Sequence, residues 1–203
     1  MTYFKMTLGA AALLMAGLPA QAEGPALLEQ MQASRVMYDA GVEARDPLLV
    51  LAAAKMRKSL DPQPQEGASG DGPLLADDML ATARKLATGD DLMLGLIEDV
   101  AVETTKGVVI GPVYNIARLG ARATDRYADV PFAGGEYAEI YVEARGNADL
   151  NLRIFDSRNR LVCSDTDSSA IAYCGWRPRS EGNFTIAVEN ASASAVDYSM
   201  ITN

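Results

Sequence analysis

Five oxygen-bearing side chains stand close together in the last third of the sequence. Asp149, Asn151 and Asp156 surround one turn, and Asp165 and Asp167 lie within Ser164-Asp-Thr-Asp-Ser-Ser169. Hard cations are held by six to eight such oxygens, so this spacing raises a Ca²⁺ site with Ser168 as a further donor. The loop lacks the sixth-position glycine and closing glutamate of the helix–loop–helix calcium pattern. A solvated acidic turn joining two strands explains the same residues. Two cysteines, Cys163 and Cys174, flank this loop. They read as one disulfide, with a reactive thiol or half of a metal site as the competing chemistry. Tyr137, Tyr141, Tyr173 and Trp176 form an aromatic set that could stack on a ligand or lie beneath another layer of the fold.

Much chemistry is excluded by what the sequence lacks. The chain has no histidine, so a Ser-His-Asp or Cys-His mechanism cannot be built, nor a histidine-ligated zinc, iron or copper site. Two cysteines cannot make a four-cysteine site, and no glycine-rich phosphate loop occurs. The net charge of −9 repels phosphate backbones and anionic lipid surfaces, which argues against a nucleic-acid partner. A pair of carboxylates working on a glycan is a catalytic scheme left open.

The compartment is read from the beginning of the chain. Lys5, an apolar run over residues 8–18 and Pro19-Ala-Gln-Ala22 have the form of an export signal, cleaved after Ala22. The run is shorter than the roughly 20 apolar residues of a spanning helix, so the mature chain is expected to be periplasmic or secreted with no membrane span. An oxidising compartment favours the disulfide.

These residues must be positioned by two unlike halves. Residues 23–104 carry helical spacing: Leu27, Met31, Ser34 or Arg35, Tyr38 and Val42 in one helix, entered near Pro25, then Leu48, Leu51, Ala52 and Met56 to about Leu60 in a second. Asp46-Pro47 supplies the second helix with an N-cap and a first-turn proline, and Lys55, Arg57 and Lys58 read as its solvated basic end. Pro73 opens a third helix along Leu75, Met79, Ala83 and Leu86. Gly89 stops it, and Asp90 caps a fourth with Leu92, Met93, Leu96, Ile97 and Val100 on one face. Residues 105–135 form a connecting segment with a broken strand pattern around Val108, Ile110 and Val113.

From Glu136 to the C-terminus the pattern changes to period two. Ala138, Ile140, Val142 and Ala144 fall on one face and Tyr137, Glu139, Tyr141 and Glu143 on the other. Leu150, Leu152 and Ile154 point inward in the next strand. Short strands with Ile171 and Tyr173, with Phe184, Ile186 and Val188, and with Tyr198 and Met200 follow. Six or so such strands imply two packed antiparallel sheets. The fold class is therefore α+β, with about four helices in two hairpins followed by an antiparallel β-sandwich.

The order Ala148-Asp-Leu-Asn-Leu-Arg-Ile-Phe-Asp, Leu161-Val-Cys-Ser-Asp, Ser180-Glu-Gly-Asn-Phe-Thr-Ile-Ala-Val and a late Tyr198 resembles the bacterial pre-peptidase C-terminal domain over residues 128–203. The resemblance implies a jelly-roll-like sandwich of the kind appended to secreted enzymes, acting in secretion, localisation or substrate binding. Asn151 stands where that pattern has a second acid, Phe184 where it has a tyrosine, and both cysteines are extra to it. The expected function is an exported, non-catalytic binding or accessory protein of the bacterial envelope, acting on an envelope protein or a glycan through the sandwich and a helical partner-binding region. The alternative is a small carboxylate-dependent hydrolase of envelope glycans.

Overall fold

In the computed structural model, residues 26–103 and 111–203 are described. The export signal, Pro25 and the Val108–Ile110 pattern lie outside the described residues. Four helices come first: α1 (Leu27–Ala44), α2 (Pro47–Leu60), α3 (Ala76–Leu86) and α4 (Asp91–Val102). A two-residue strand, β1 (Gln63–Pro64), sits between α2 and α3. The remaining strands are β2 (Val113–Leu119), β3 (Thr124–Phe132), β4 (Ala138–Ala144), β5 (Leu150–Phe155), β6 (Leu161–Asp165), β7 (Ile171–Trp176), β8 (Gly182–Asn190) and β9 (Val196–Thr202). They make a five-stranded sheet in the order β1-β2-β9-β4-β7 and a four-stranded sheet in the order β3-β8-β5-β6. Apart from the parallel β1–β2 pair, neighbours run antiparallel.

Caps explain where the helices begin. The Asp46 carboxylate accepts from the Leu48 and Leu49 N–H groups, and Asp90 accepts from the Met93 N–H, each taking a donor that a helix N-terminus leaves unpaired. Ala26 before α1 has no side chain to do this, and Glu139 of β4 does it instead, accepting the Glu29 N–H at 3.2 Å. At the other end, Lys58 Nζ donates to the Val100 and Ala101 carbonyls that close α4, at 2.8 and 2.7 Å. Gly41 lets α2 approach α1, because a Cβ there would meet the Val50 backbone nitrogen at 2.9 Å.

Three apolar layers result. The sheets close on Ile140, Val142, Leu150, Leu152, Ile154 and Val188, with Trp176 against Phe132 and Phe184 at one end. The helices pack on one another through Val50, Ala54, Met79, Leu80, Ala83 and Ile97. Between these layers Leu28, Met31 and Leu60 meet Tyr141, Ile171 and Ile201 on the outer side of the five-stranded sheet. Each fully buried side chain of this size contributes about 1.5–3 kcal/mol relative to exposure. The alternation read in β4 therefore holds, but all seven of its residues are buried, because its second face lies under α1 rather than in water.

The sandwich also starts earlier than the sequence suggests. Val113–Leu119 and Thr124–Phe132, read as a connecting segment, are full strands pairing with β9 and β8. The β3 pattern was obscured by a register shift between Tyr127 and Val130, where Asp129 takes a left-handed conformation. Three helix faces also differ from expectation: in α2 Leu48 and Ala52 are exposed while Val50, Ala53 and Ala54 are buried, and in α1 Val42 is exposed. Leu28 is turned inward rather than Leu27. In α4 only Met93 and Ile97 are buried, leaving Leu92 and Leu96 outside.

Candidate functional site

The junction between helices and sandwich is organised around one carboxylate. Glu143, fully buried on β4, receives four donors. Arg35 Nη1 and the Leu74 N–H reach Oε1 at 2.9 and 3.0 Å, while Arg57 Nη1 and the Tyr141 hydroxyl reach Oε2 at 2.9 and 2.8 Å. Arg57 is 0% exposed and donates from all three of its nitrogens, also to Ser34 Oγ and to the Leu74 and Met31 carbonyls. Arg35 adds Asp39, through Nε, and the Ala144 carbonyl. Of the basic end of α2, Lys55 is solvated as its sequence suggested, and Arg57 is not. Arg57 continues the buried spacing Val50, Ala53, Ala54, Leu60 and enters the protein with it.

Burial by itself pushes the Glu143 pKa up. The charges of Arg57 and then Arg35, with bonds from Arg57 and the Leu74 N–H, bring it below the ordinary glutamate value. Burial, then the neighbouring Glu143 charge, pushes the Tyr141 hydroxyl well above its usual value, so it stays a proton donor to the carboxylate. An ionised carboxylate enclosed by four protein donors has no proton to transfer and no open side for a substrate. Its chemistry is fastening. A second tie lies at the rim, where Arg145 takes the Asp78 carboxylate of α3 with both terminal nitrogens, at 3.1 and 2.6 Å.

The aromatic set divides by strand parity. Tyr141 is buried under α1, while Tyr137 is 40% exposed. The Tyr173 hydroxyl donates to Glu139 at 2.9 Å and lies 3.3 Å from that of Tyr137. Trp176 is three residues from Tyr173, so alternation turns it to the opposite face, into the sandwich core. The four do not form one platform, and grouping Trp176 with the tyrosines is corrected by that parity.

Nor does the structure gather the five proposed oxygen ligands. Asp156 is turned onto its own loop, accepting from Arg160 Nε at 2.7 Å and from the Arg158 and Arg160 N–H groups. Asp165 accepts the Tyr173 N–H at 2.9 Å, and Asp167 is exposed. Asn151 donates to Glu189 at 3.4 Å, and the N–H of Asp149 is held by Ser192. Among the described residues no group of three or more acids or cysteines is placed to hold a metal ion. The chain is expected to melt at the same temperature in added Ca²⁺ and in chelator; a rise in melting temperature of several degrees with Ca²⁺ alone would contradict this arrangement. The cysteine expectation holds. Cys163 and Cys174 are bonded, joining the two sheets through β6 and β7.

Arg35, Arg57 and Glu143 were not legible as a set. The available signal was two glutamates of helix-facing parity, Glu139 and Glu143, inside a strand that is otherwise apolar or aromatic, together with two arginines falling on buried helical stripes.

Fold and junction together define a β-sandwich that carries a helical layer fastened to one face by a buried arginine–glutamate–arginine bridge. No protein-family model matches the chain, and no curated protein matches it in sequence. Solved structures similar to it include the pre-peptidase C-terminal domain of a collagenase from Bacillus anthracis, the family that the β half resembles. Its identity is 12%, covering 45% of this chain and 89% of that one, with a TM-score of 0.36. Another is PliG of Aeromonas hydrophila, a periplasmic inhibitor of g-type lysozyme, at 18% identity over 50% of this chain and 91% of that one, with a TM-score of 0.34. A mitogen from Yersinia pseudotuberculosis is similar at 12% identity over 44% and 82% of the two chains, with a TM-score of 0.34.

Proposed function

We propose that this is an exported, non-catalytic accessory protein of the bacterial envelope that uses the outer face of α4 to bind a basic, partly apolar segment of another envelope protein. The observation that carries the reading is the second apolar face of α4. With Met93 and Ile97 already buried, Leu92 and Leu96, one turn apart on the helix, are 78% and 44% exposed. Gly95 adds no bulk, since a Cβ there would meet nothing within 4 Å. Two leucines one turn apart, left in water on a helix whose other side is satisfied, form a small apolar strip of the kind that a groove or helix of a partner can cover.

Charge selects the partner. Over its twelve residues α4 has three acids and no basic residue; Glu98 is held by Arg84 of α3 at 2.7 Å, and Asp91 and Asp99 carry the charge offered to a partner, in a chain of net charge −9. A segment carrying lysine or arginine beside apolar residues complements both features. A second copy of this acidic helix does not. The glycan reading draws less support, because the aromatics it would use are divided between a core, a covered face and an exposed edge. The hydrolase alternative needs a carboxyl held protonated. The carboxyls that shift, Glu98, Glu143, Asp156 and Glu189, all shift downward toward arginines. Among the described residues no helix is long and apolar enough to cross a membrane.

Photo-crosslinking from position 96 tests the proposal, with a benzophenone side chain in place of Leu96 in the exporting cell. The expected product is a single adduct to one other protein, mapped by mass spectrometry to a basic, partly apolar segment and lost when Leu92 is replaced by Glu. Adducts only to a second copy of this chain, to an acidic segment, or to no protein at all would overturn it.

A further inference from the structure

Two acids are buried among the described residues, Glu143 and Glu139, and their surroundings differ. Glu143 has an arginine on each oxygen. Glu139, only 3% exposed on the helix-facing side of β4, has no lysine or arginine within ion-pair distance among the described residues. Its Oε1 accepts the Glu29 N–H of α1 at 3.2 Å and the Tyr173 hydroxyl at 2.9 Å. Among the described residues nothing donates to its Oε2. That oxygen is not sealed in, since the fully covered polar side-chain atoms without a partner belong to Asn151 and Trp176.

A buried carboxylate without a cation is costly, and the positive end of α1 offsets only about half a charge. The surroundings supply nothing more. Glu29, on the same helical turn, is another acid, and Arg177, just beyond β7, turns its Nη1 to the Gly135 carbonyl instead. The group that completes this site is a small cation with N–H donors.

The chain itself can provide one. Cleavage after Ala22, part of the export reading on which this inference rests, turns the nitrogen of Glu23 into a primary ammonium. Glu23 precedes the N-cap Ala26 by three residues, a reach of about 10 Å when extended. Glu29, whose N–H Glu139 already holds, lies one helical turn beyond that cap, about 5 Å along the axis. The tether is therefore long enough, and Gly24 is a residue free to reverse its direction. In the uncleaved chain the same nitrogen is an uncharged amide. We propose that Glu139 is the binding site for the α-ammonium of the processed chain, an ion pair that fastens the start of α1 to β4 once the export signal has been removed.

The test uses the chain as recovered from the exporting cell, its first residue fixed by N-terminal sequencing and its α-amine followed by NMR titration. The expected first residue is Glu23, with an α-ammonium pKa of about 9 against the ordinary value of about 7.7–8.0. Glu139→Gln keeps an acceptor for Glu29 and Tyr173 and should return that pKa to the ordinary range. Acetylating the α-amine should lower the folding equilibrium constant about tenfold in the natural chain, the fold-change that corresponds to such a rise, and leave the Glu139→Gln chain unchanged. A chain that begins at Glu23 with an ordinary α-ammonium pKa overturns the inference and leaves the export reading standing. A chain that still carries residues 1–22 overturns both. Equal loss on acetylation with and without the Glu139 carboxylate also overturns the inference, because the amine would then act elsewhere.

Discussion

Replacing Glu143 with Gln is expected to destabilise the folded chain by about 3–5 kcal/mol, the cost of leaving buried charge without its partner. The substitution keeps the shape of the side chain, removes the charge that offsets Arg57 and Arg35, and puts an NH2 donor where one oxygen had accepted two donors. The effect should also depend on pH in a defined sense. The folded-state pKa of Glu143 is depressed, so its contribution is complete above the unfolded value of about 4.3. It is lost as pH falls through the lower folded value. Glu143→Gln should therefore lie far below the natural chain at neutral pH, and the gap should narrow as the solution is acidified below about pH 4. Replacing all three partners together, Arg35→Met, Glu143→Leu and Arg57→Met, should recover much of the loss, since an apolar core of similar volume often equals or exceeds a buried ion pair. A Glu143→Gln protein as stable as the natural one at neutral pH would show that the bridge does not fasten the layers. Urea denaturation across that pH range checks all of this.

Loss of the Cys163–Cys174 bond is the second large effect expected, about 3 kcal/mol in the loop-entropy description. Its position makes this more than a local staple. Cys163 pairs with Ile154 in one sheet and Cys174 with Ile140 in the other, with Cα atoms 5.9 Å apart. The bond therefore closes the sandwich between the edge strands β6 and β7. Cys163→Ser combined with Cys174→Ala avoids burying a new hydroxyl at the fully covered Cys174 site. Its denaturation midpoint should fall by the same amount as that of the natural chain in reductant. If mass spectrometry finds two free thiols and the midpoint has not moved, the bond does not hold the sheets together.

The parts of this fold that were legible in the sequence are those set by local period. Four helices, their Asp46 and Asp90 caps, and the alternation through β4 and β5 follow from spacing and turn chemistry. The sandwich strand β3 was hidden because a bulge at Asp129 breaks its alternation, and β2 because Gly111-Pro112 immediately precedes it. The junction was hidden for a different reason. Arg35, Arg57 and Glu143 come from three elements up to 108 residues apart, and nothing local distinguishes a buried arginine from a solvated one. The aromatic set failed on parity that the sequence did contain, since Tyr173 and Trp176 are an odd number of residues apart along one strand. The acidic loop was legible as acidic but not as self-satisfied, because the partners of Asp156 are the N–H groups and arginine of its own turn. The outward leucines of α4 share a helix with inward ones, and period alone could not say which side the sandwich would leave open.

The helical layer and the sandwich, joined at Glu143, are expected to unfold as one cooperative body, and two signals report on them separately. Trp176, the single tryptophan, sits in the sandwich core, while helical ellipticity comes from α1 to α4. Urea unfolding of the mature chain, followed by tryptophan fluorescence and by ellipticity at 222 nm in the same samples, should give superimposable transitions with one midpoint. A helical transition completed at a lower urea concentration than the tryptophan transition would contradict a single fastened unit.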